Sequence, residues 1–438
     1  MSGFSLWWFL LAGLLSADAT PPCHPILDER FQQELNAKTN SVLAVSDEIL
    51  LLVDGKASYP VRWRMLENAR ESIHFSTMYI FADDITKKFG DLLIRKKGDG
   101  VDIKMIVYGP YALANLPFYR KMRKHGIEVQ MYSSVPDVLR NPMRFWTRHL
   151  HDKYLVVDGK EALTGGMNWS ARYEHGGTRA EVAWRDTDIY VSGPQAELIE
   201  KEFLKRWYRE ADRKIFDGIS AELDTIYKAP TYPSSSVYAD FLTPSPEAPF
   251  GYKVKCLTRF LYQQPFEEGG IPYMTSFYKE MIDKAQSCVY WQSISTRPAP
   301  IQKKALLDAA ARGVDVRLMT NSKRNMRMIP IGGWPVYIVT RADYREMLRG
   351  GVRIFEYHGD APMHSKGFLV DDVTAAVGSY NATVTAERYY TEAAIATYDT
   401  EAIRAIRKMF DDDFAQCTEV TLDDLKSKKQ APPTHGKP

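Results

Sequence analysis

The chain carries the same eight-residue pattern twice. His151-Asp152-Lys153-Tyr154-Leu155-Val156-Val157-Asp158 returns 213 residues later as His364-Ser365-Lys366-Gly367-Phe368-Leu369-Val370-Asp371. Each copy reads His-x-Lys-x4-Asp. An Asn stands 17 residues after each His and closes a small-residue turn: Gly165-Gly166-Met167-Asn168 and Gly378-Ser379-Tyr380-Asn381. More distant segments repeat at the same offset, since Gly100-Val101-Asp102-Ile103-Lys104 is echoed by Gly313-Val314-Asp315-Val316-Arg317. A chain duplicated in this way folds as two similar halves. Like halves bury like faces against each other about a pseudo-twofold axis.

Within each half, apolar runs of strand length alternate with segments of helical spacing, which indicates an α/β layer structure. Strands are expected from Ile49 to Val53, Ser72 to Ile80, Val101 to Tyr108 and Ile127 to Tyr132. Helices are expected over Trp63 to Arg70, Thr86 to Lys97 and Tyr119 to Lys124. The second half repeats this order from Phe277 onward. The chain therefore divides into a leader (1–19), an N-terminal segment (20–44), a first lobe (45–212), a connector (213–270), a second lobe (271–422) and a polar tail (423–438). The connector, rich in Pro and Ser, holds one expected strand from Lys253 to Tyr262. Two insertions, Ser133 to Thr147 and Asn325 to Thr340, precede the two His strands. They read as loops at the cleft mouth, facing lipid or packing on their own lobe.

Side chains two apart on a strand share a face. His151 thus points with Lys153, and His364 with Lys366. If Asp158-Gly159 forms a two-residue hairpin loop, His151 falls opposite Gly166, and by the same counting His364 falls opposite Ser379. At Gly166 and Ser379, backbone N–H groups would approach a ligand closely, with Asn168 and Asn381 just beyond. Two imidazoles, two ammonium groups and two amides suit a phosphodiester and form no obvious metal set. One His attacks phosphorus; the other protonates the leaving oxygen and then activates the incoming hydroxyl. Lys153, Lys366, Asn168 and Asn381 would stabilise charge on the non-bridging oxygens. Asp158 and Asp371 stand an odd number of residues from their His and take supporting roles, turn-forming or ion-pairing. Asp186 and Glu392, each on the segment after the Asn of its own half, are the candidates for orienting an imidazole. His149 reads as a structural neighbour.

These paired motifs resemble the phospholipase D superfamily. Trp184-Arg185-Asp186-Thr187-Asp188 and Pro362-Met363-His364-Ser365-Lys366 are similar to its cardiolipin-synthase-like branch, and the likeness extends over residues 45–420. The resemblance implies two α/β/α lobes with one active site at their interface. It also implies a phosphatidyl group carried on one His, by analogy His151, and passed to water or an alcohol without a metal or other cofactor.

Charge and composition narrow the class further. With 57 basic and 55 acidic residues the net charge is +2, and no basic track interleaved with aromatics stands out, so nucleic acid is the less favoured partner. An exported nuclease of the same superfamily is the main rival to a phospholipid enzyme. A lipid-head-group-binding module on an inactive scaffold is a third reading. The expected partner is phospholipid at a membrane surface, bound peripherally, and a monomer is compatible with two motifs on one chain. Leu6 to Leu15 is an apolar run too short to span a bilayer, followed by Ala17-Asp18-Ala19, which reads as an export signal with a cleavage site. In that oxidising setting the four cysteines allow three disulfide pairings, Cys23–Cys417 with Cys256–Cys288 being one of them, and buried free thiols are the alternative.

Overall fold

The computed structural model describes residues 23–133, 139, 142, 148–174, 183–211, 242–244, 252–265, 270–329 and 332–426. The leader, most of the connector, most of the first insertion and the tail beyond 426 lie outside these residues. The first half contributes β1 (Leu43–Val45), β2 (Ile49–Val53), β3 (Ser72–Thr77), β4 (Asp102–Tyr108), β5 (Glu128–Tyr132), β6 (His149–Leu150), β7 (Tyr154–Val157), β8 (Glu161–Gly165) and β9 (Thr187–Ser192). A short hairpin follows, β10 (Leu242–Pro244) and β11 (Tyr252–Val254). The rest are β12 (Leu257–Gln263), β13 (Cys288–Gln292), β14 (Asp315–Asn321), β15 (Arg353–Tyr357), β16 (Gly367–Val370), β17 (Thr374–Gly378), β18 (Tyr390–Thr397) and β19 (Cys417–Val420).

The first sheet runs β2-β9-β8-β7-β3-β4-β5. The second runs β12-β18-β17-β16-β13-β14-β15, with β1 added at one edge and β19 at the other. Strand for strand the two orders match, and in both the first three strands of the α/β unit are parallel while the His hairpin joins antiparallel. Gly100 and Gly313 show how local chemistry repeats with the fold. Both adopt left-handed backbone (φ 92° and 91°) just past a helix end, where only glycine enters at no steric cost.

This matching moves one boundary. The expected connector strand is β12, the counterpart of β2, paired with β18 along six registered residues. The second lobe thus begins within the segment predicted to be linker. Residues 23–45 also belong to the second lobe. Ile26, Leu27, Phe31 and Leu35 join its core, and the buried Arg259 guanidinium donates to Gln32, Asn36 and Ser41. Hydropathy could not reveal this, because β12 and the N-terminal helix Glu29–Thr39 are stabilised by contacts with residues hundreds of positions away.

Strand alternation divides the packing. Leu155 and Val157 face the first lobe's own helices, whereas Tyr154 and Val156 face a core shared by both lobes. In the second lobe Phe368 and Val370 face the lobe's own core, and Leu369 faces the shared one. The shared core also takes Phe203 from the helix Pro194–Ala211 and Phe410 from the helix Thr400–Phe414. Burying one face of each sheet in a common apolar layer removes it from water and fixes the lobes against each other.

The second insertion is helical rather than a loop, as Lys323–Arg327 and Gly333–Thr340. All four cysteines are free thiols, the alternative left beside the three disulfide pairings. Among the described residues, no helix is long and apolar enough to cross a membrane.

Candidate active site

The hairpin that carries each His departs from the predicted register by one residue. Asp158 and Gly159 do form a tight turn, both left-handed (φ 55° and 61°), with Lys160 N–H bonded to Val157 O at 3.0 Å. The ladder resumes one residue later, pairing Val157 with Glu161, because the Lys160 carbonyl bonds instead to Gly193 N–H at 2.9 Å. The second copy does the same, with Asp371 and Asp372 left-handed and Val370 paired with Thr374. Lys153 and Lys366 therefore sit across from Gly165 and Gly378.

Asp158 and Asp371 lie at the turn end of the hairpins, not beside the imidazoles. Asp158 accepts the backbone N–H groups of Arg70, Glu71 and Ser72 at 2.7–3.1 Å. Asp371 accepts those of Gln286, Ser287 and Cys288, each at 2.7 Å, and His24 Nε2–H at 2.9 Å. Each pins the entry to the neighbouring central strand. Neither carboxylate touches the imidazole of His151 or His364; both hold the turn and the strand entry.

At the other end, each His leaves its own lobe. His151 N–H donates to Thr391 O at 3.2 Å, and β6 just before it pairs in parallel with β18 of the second lobe. Reciprocally, His364 N–H donates to Arg185 O at 2.7 Å, beside a parallel bridge between Arg185 and Met363. The ring contacts follow. His151 Nδ1 lies 3.0 Å from both carboxylate oxygens of Glu392, and His364 Nδ1 lies 2.8 Å from Asp186 Oδ2. Asp186 and Glu392 thus orient the imidazoles, but each serves the His of the opposite half. In both rings Nδ1 is engaged by the carboxylate, which leaves Nε2 for chemistry.

Around these pairs the chain gathers its cations. Lys153 Nζ donates to His151 O at 2.5 Å, and Lys366 Nζ donates to His364 O. Each ammonium has further N–H bonds to offer an anion. Burial drives both away from their ordinary range, against the pull of nearby carboxylates: Lys153 falls to about 8 and Lys366 to about 7. Burial and then Lys366 bring His364 down to about 4, opposed by Asp186. Burial, followed by Lys153, Lys366, His149 and His364, lowers His151 well below its usual value. The Lys366 charge acts on both rings and the Lys153 charge on Lys366 and both rings, so two imidazoles and two lysines share one electrostatic centre.

The two carboxyls differ. Burial pushes Asp186 up, but the His364 charge and hydrogen bond, Lys366 and the Thr187 N–H outweigh it, so Asp186 is held low. Burial wins at Glu392, whose carboxyl is raised well above the usual range despite Lys153 and a short hydrogen bond from Ser379 Oγ. This places Gly166 and Ser379, which were expected to bind phosphate through backbone N–H groups. Those groups are already spent, Gly166 on Thr187 O (3.1 Å) and Ser379 on Ala393 O (2.8 Å). Their role is to accommodate the carboxylates. A Cβ on Gly166 would stand 2.1 Å from Asp186 Oδ1, whereas Ser379 places its hydroxyl on Glu392.

Asn168 donates to Tyr173 Oη at 3.2 Å and keeps its carbonyl oxygen buried without a partner among the described residues. Asn381 accepts from Ser293 Oγ at 3.1 Å, which turns its NH2 group elsewhere. The His149 ring lies between Tyr108 and Tyr390, tilted to both, an aromatic support for the strand that leads to His151. Three rings beside the imidazoles escaped the sequence reading: Tyr390 at 5.4 Å from His151, and Trp184 and Tyr173 at 5.4 and 5.8 Å from His364. Trp184 and Tyr390 each stand two residues before the orienting carboxylate, so the period-2 rule offered a signal for them. A cleft of about 600 Å³ between the lobes, lined by Val53, Asp54, Arg185, Met409 and Asp413 among others, includes neither His.

Comparison with known proteins agrees with this architecture. A family model described as cardiolipin synthase, PLD-like domain, matches residues 63–207 and 278–414. The chain is similar to cardiolipin synthase A of Pseudomonas entomophila strain L48, 27% identical over 389 residues that cover 87% of this chain and 71% of that one. Its likeness to cardiolipin synthase A of Pseudomonas fluorescens strain SBW25 is 27% over 388 residues, covering 88% and 72%. Among solved structures, phosphatidylserine synthase of Haemophilus influenzae Rd KW20 shares the fold with a TM-score of 0.61 at 15% identity, covering 89% of this chain and 91% of that one. Polyphosphate kinase of Porphyromonas gingivalis does so with a TM-score of 0.52 at 14% identity, covering 86% and 49%.

Proposed function

We propose, for a chain that belongs to the PLD-like cardiolipin synthase family, a two-step transfer of a phosphatidyl group through a histidine. The observation that carries the reading is the exchange of carboxylates between lobes, His151 with Glu392 and His364 with Asp186. Neither half is complete alone, and joined they offer two oriented imidazoles and two buried ammonium groups to one phosphodiester. The relatives named cardiolipin synthase support a phospholipid as substrate.

In the first step Nε2 of one His attacks phosphorus and the bond to the head-group oxygen breaks, with the second His delivering the proton that oxygen needs. In the second step that His takes the proton of an incoming hydroxyl, the hydroxyl oxygen bonds to phosphorus, and the phosphorus–nitrogen bond breaks. We assign the nucleophile to His151, following the family resemblance and the unequal carboxyls. A carboxyl held low, as in Asp186, supports a proton on His364 better than the raised Glu392 supports one on His151. An arriving phosphodiester anion replaces mutual repulsion with attraction, so both lysines keep their protons and His364 gains one.

Product analysis on phosphatidylglycerol vesicles, with and without added glycerol, tests the reading. Head-group release, with exchange when glycerol is present, is the expected result. Cleavage of plasmid DNA with no lipid turnover would instead select the nuclease. The free enzyme should also show a pH-dependent kcat/KM. Activity falls as pH rises through about 7 to 8, where Lys366 and then Lys153 lose their charge, and falls again at acid pH, where protonation of His151, held well below its usual value by burial and the nearby cations, removes the nucleophile. A flat profile from pH 6 to 10 would contradict a need for cationic lysines. The apolar run Leu6 to Leu15 leads us to place the enzyme outside the cytoplasm and at a membrane surface. Recovery of the whole activity from the cytoplasmic fraction would reject that placement.

A further inference from the structure

The helix Gly333–Thr340 presents an unusual surface. Its inward stripe is held down: Gly333, Tyr337 and Thr340 are buried, and Tyr337 Oη receives a hydrogen bond from Arg341 at 2.5 Å. Its outward side is apolar, with Trp334, Val336, Ile338 and Val339 between 39% and 54% exposed. These four account for much of the large exposed hydrophobic surface among the described residues, and they occupy a single eight-residue helix. A hydrophobic face this concentrated marks a docking site rather than chance exposure.

Charge indicates what it docks on. The preceding helix carries exposed Lys323, Arg324 and Arg327, none of which has a carboxylate partner among the described residues. The Lys323 ammonium and the Arg327 guanidinium lie over the Trp334 ring, 5.3 and 4.8 Å from its centre. Nearby acids are already engaged: Asp343 by Arg297 and Lys303, Glu346 by Lys303, and Glu356 by Arg341. An indole ringed by cations beside an aliphatic face is the composition of an interfacial helix, in which the apolar side enters the acyl boundary and the cations meet anionic head groups.

Position ties this face to the reaction centre. Asn325 Nδ2 donates to Gly359 O at 2.9 Å and Ala361 O at 2.7 Å, and the Asn321 side chain bonds both the N–H and the C=O of Met363. The helix Lys323–Arg327, through Asn325, and the end of β14 just before it, through Asn321, are therefore fastened to the stretch of chain that runs directly into His364. We propose that the helix Gly333–Thr340, with Lys323, Arg324 and Arg327, docks the enzyme on an anionic phospholipid bilayer and so holds the stretch of chain that leads into His364 close to the lipid surface. The purpose of this face rests on the phospholipid reading of the site, but its test does not use turnover, so the two can fail separately.

The test is flotation of the full chain with vesicles, comparing phosphatidylglycerol mixed into phosphatidylcholine with phosphatidylcholine alone. The wild type should bind the anionic vesicles at least about tenfold more tightly, with an affinity that falls as salt rises. Ile338→Glu/Val339→Glu should lose roughly tenfold or more of that binding. Its melting temperature should match the wild type. Lys323→Ala/Arg324→Ala/Arg327→Ala should remove the preference for anionic lipid while keeping the weaker binding to neutral vesicles. Unchanged binding in the Glu variant would overturn the proposal, because another apolar part of the chain would then hold the membrane. So would equal binding to both kinds of vesicle, or a wild-type dimer in solution that the Glu variant converts to monomer, since a second copy would then be the occupant.

Discussion

His151→Ala and His364→Ala should each slow phosphatidyl transfer by at least about 10³-fold, with binding of vesicles unaltered. The size follows from what each ring is asked to do. Spontaneous phosphodiester cleavage is so slow that an enzyme must remove on the order of 20 kcal/mol of barrier. Loss of the nucleophile leaves no covalent route, and loss of the proton carrier leaves an unprotonated alkoxide to depart. The two variants should nevertheless differ in one respect. On a phosphodiester with a nitrophenolate leaving group, which needs no proton, His364→Ala should still release a burst of nitrophenol and retain phosphate on His151. His151→Ala should show neither burst nor label. Retention of a tenth of the wild-type rate by either variant would reject a mechanism with two imidazoles. A burst in His151→Ala alone would reverse the assignment of the nucleophile.

Changing the orienting carboxylates should cost roughly 10²–10⁴-fold, and their pattern probes the exchange between lobes. In Asp186→Asn the amide accepts Nδ1–H poorly and no longer supports a proton on His364 (2.8 Å away). That variant should behave as a proton-delivery mutant and keep the nitrophenol burst. Glu392→Gln acts on His151 instead (3.0 Å) and should lose the burst. If each carboxylate served the His of its own half, the two outcomes would be interchanged. The measurement therefore reads the tertiary arrangement through kinetics alone.

Where sequence reasoning stopped short, the reasons are physical. The hairpin turn was legible at Asp158-Gly159, but not the extra residue after it. Lys160 leaves the ladder because its carbonyl finds Gly193, a partner 33 residues away. Gly166 looked like a place for phosphate to approach a bare backbone, yet the absent Cβ makes room for Asp186. The strand expected within the connector exists as Leu257–Gln263, but its pairing with β18, which makes it part of the second sheet, is set by a partner well over a hundred residues away. Cysteine parity suggested disulfides, which depend on distances that spacing along a chain does not supply.

The sequence by itself determined the duplication, the alternation of strands and helices, and the residue types at the reaction centre. Period-2 spacing and a repeated offset are local properties that survive without coordinates. Only the tertiary structure decided that His151 leans on Glu392 and His364 on Asp186. The strand leading to each His completes its hydrogen bonds on the opposite lobe, at Thr391 and Arg185, and no pattern within one half records which half its neighbour will be.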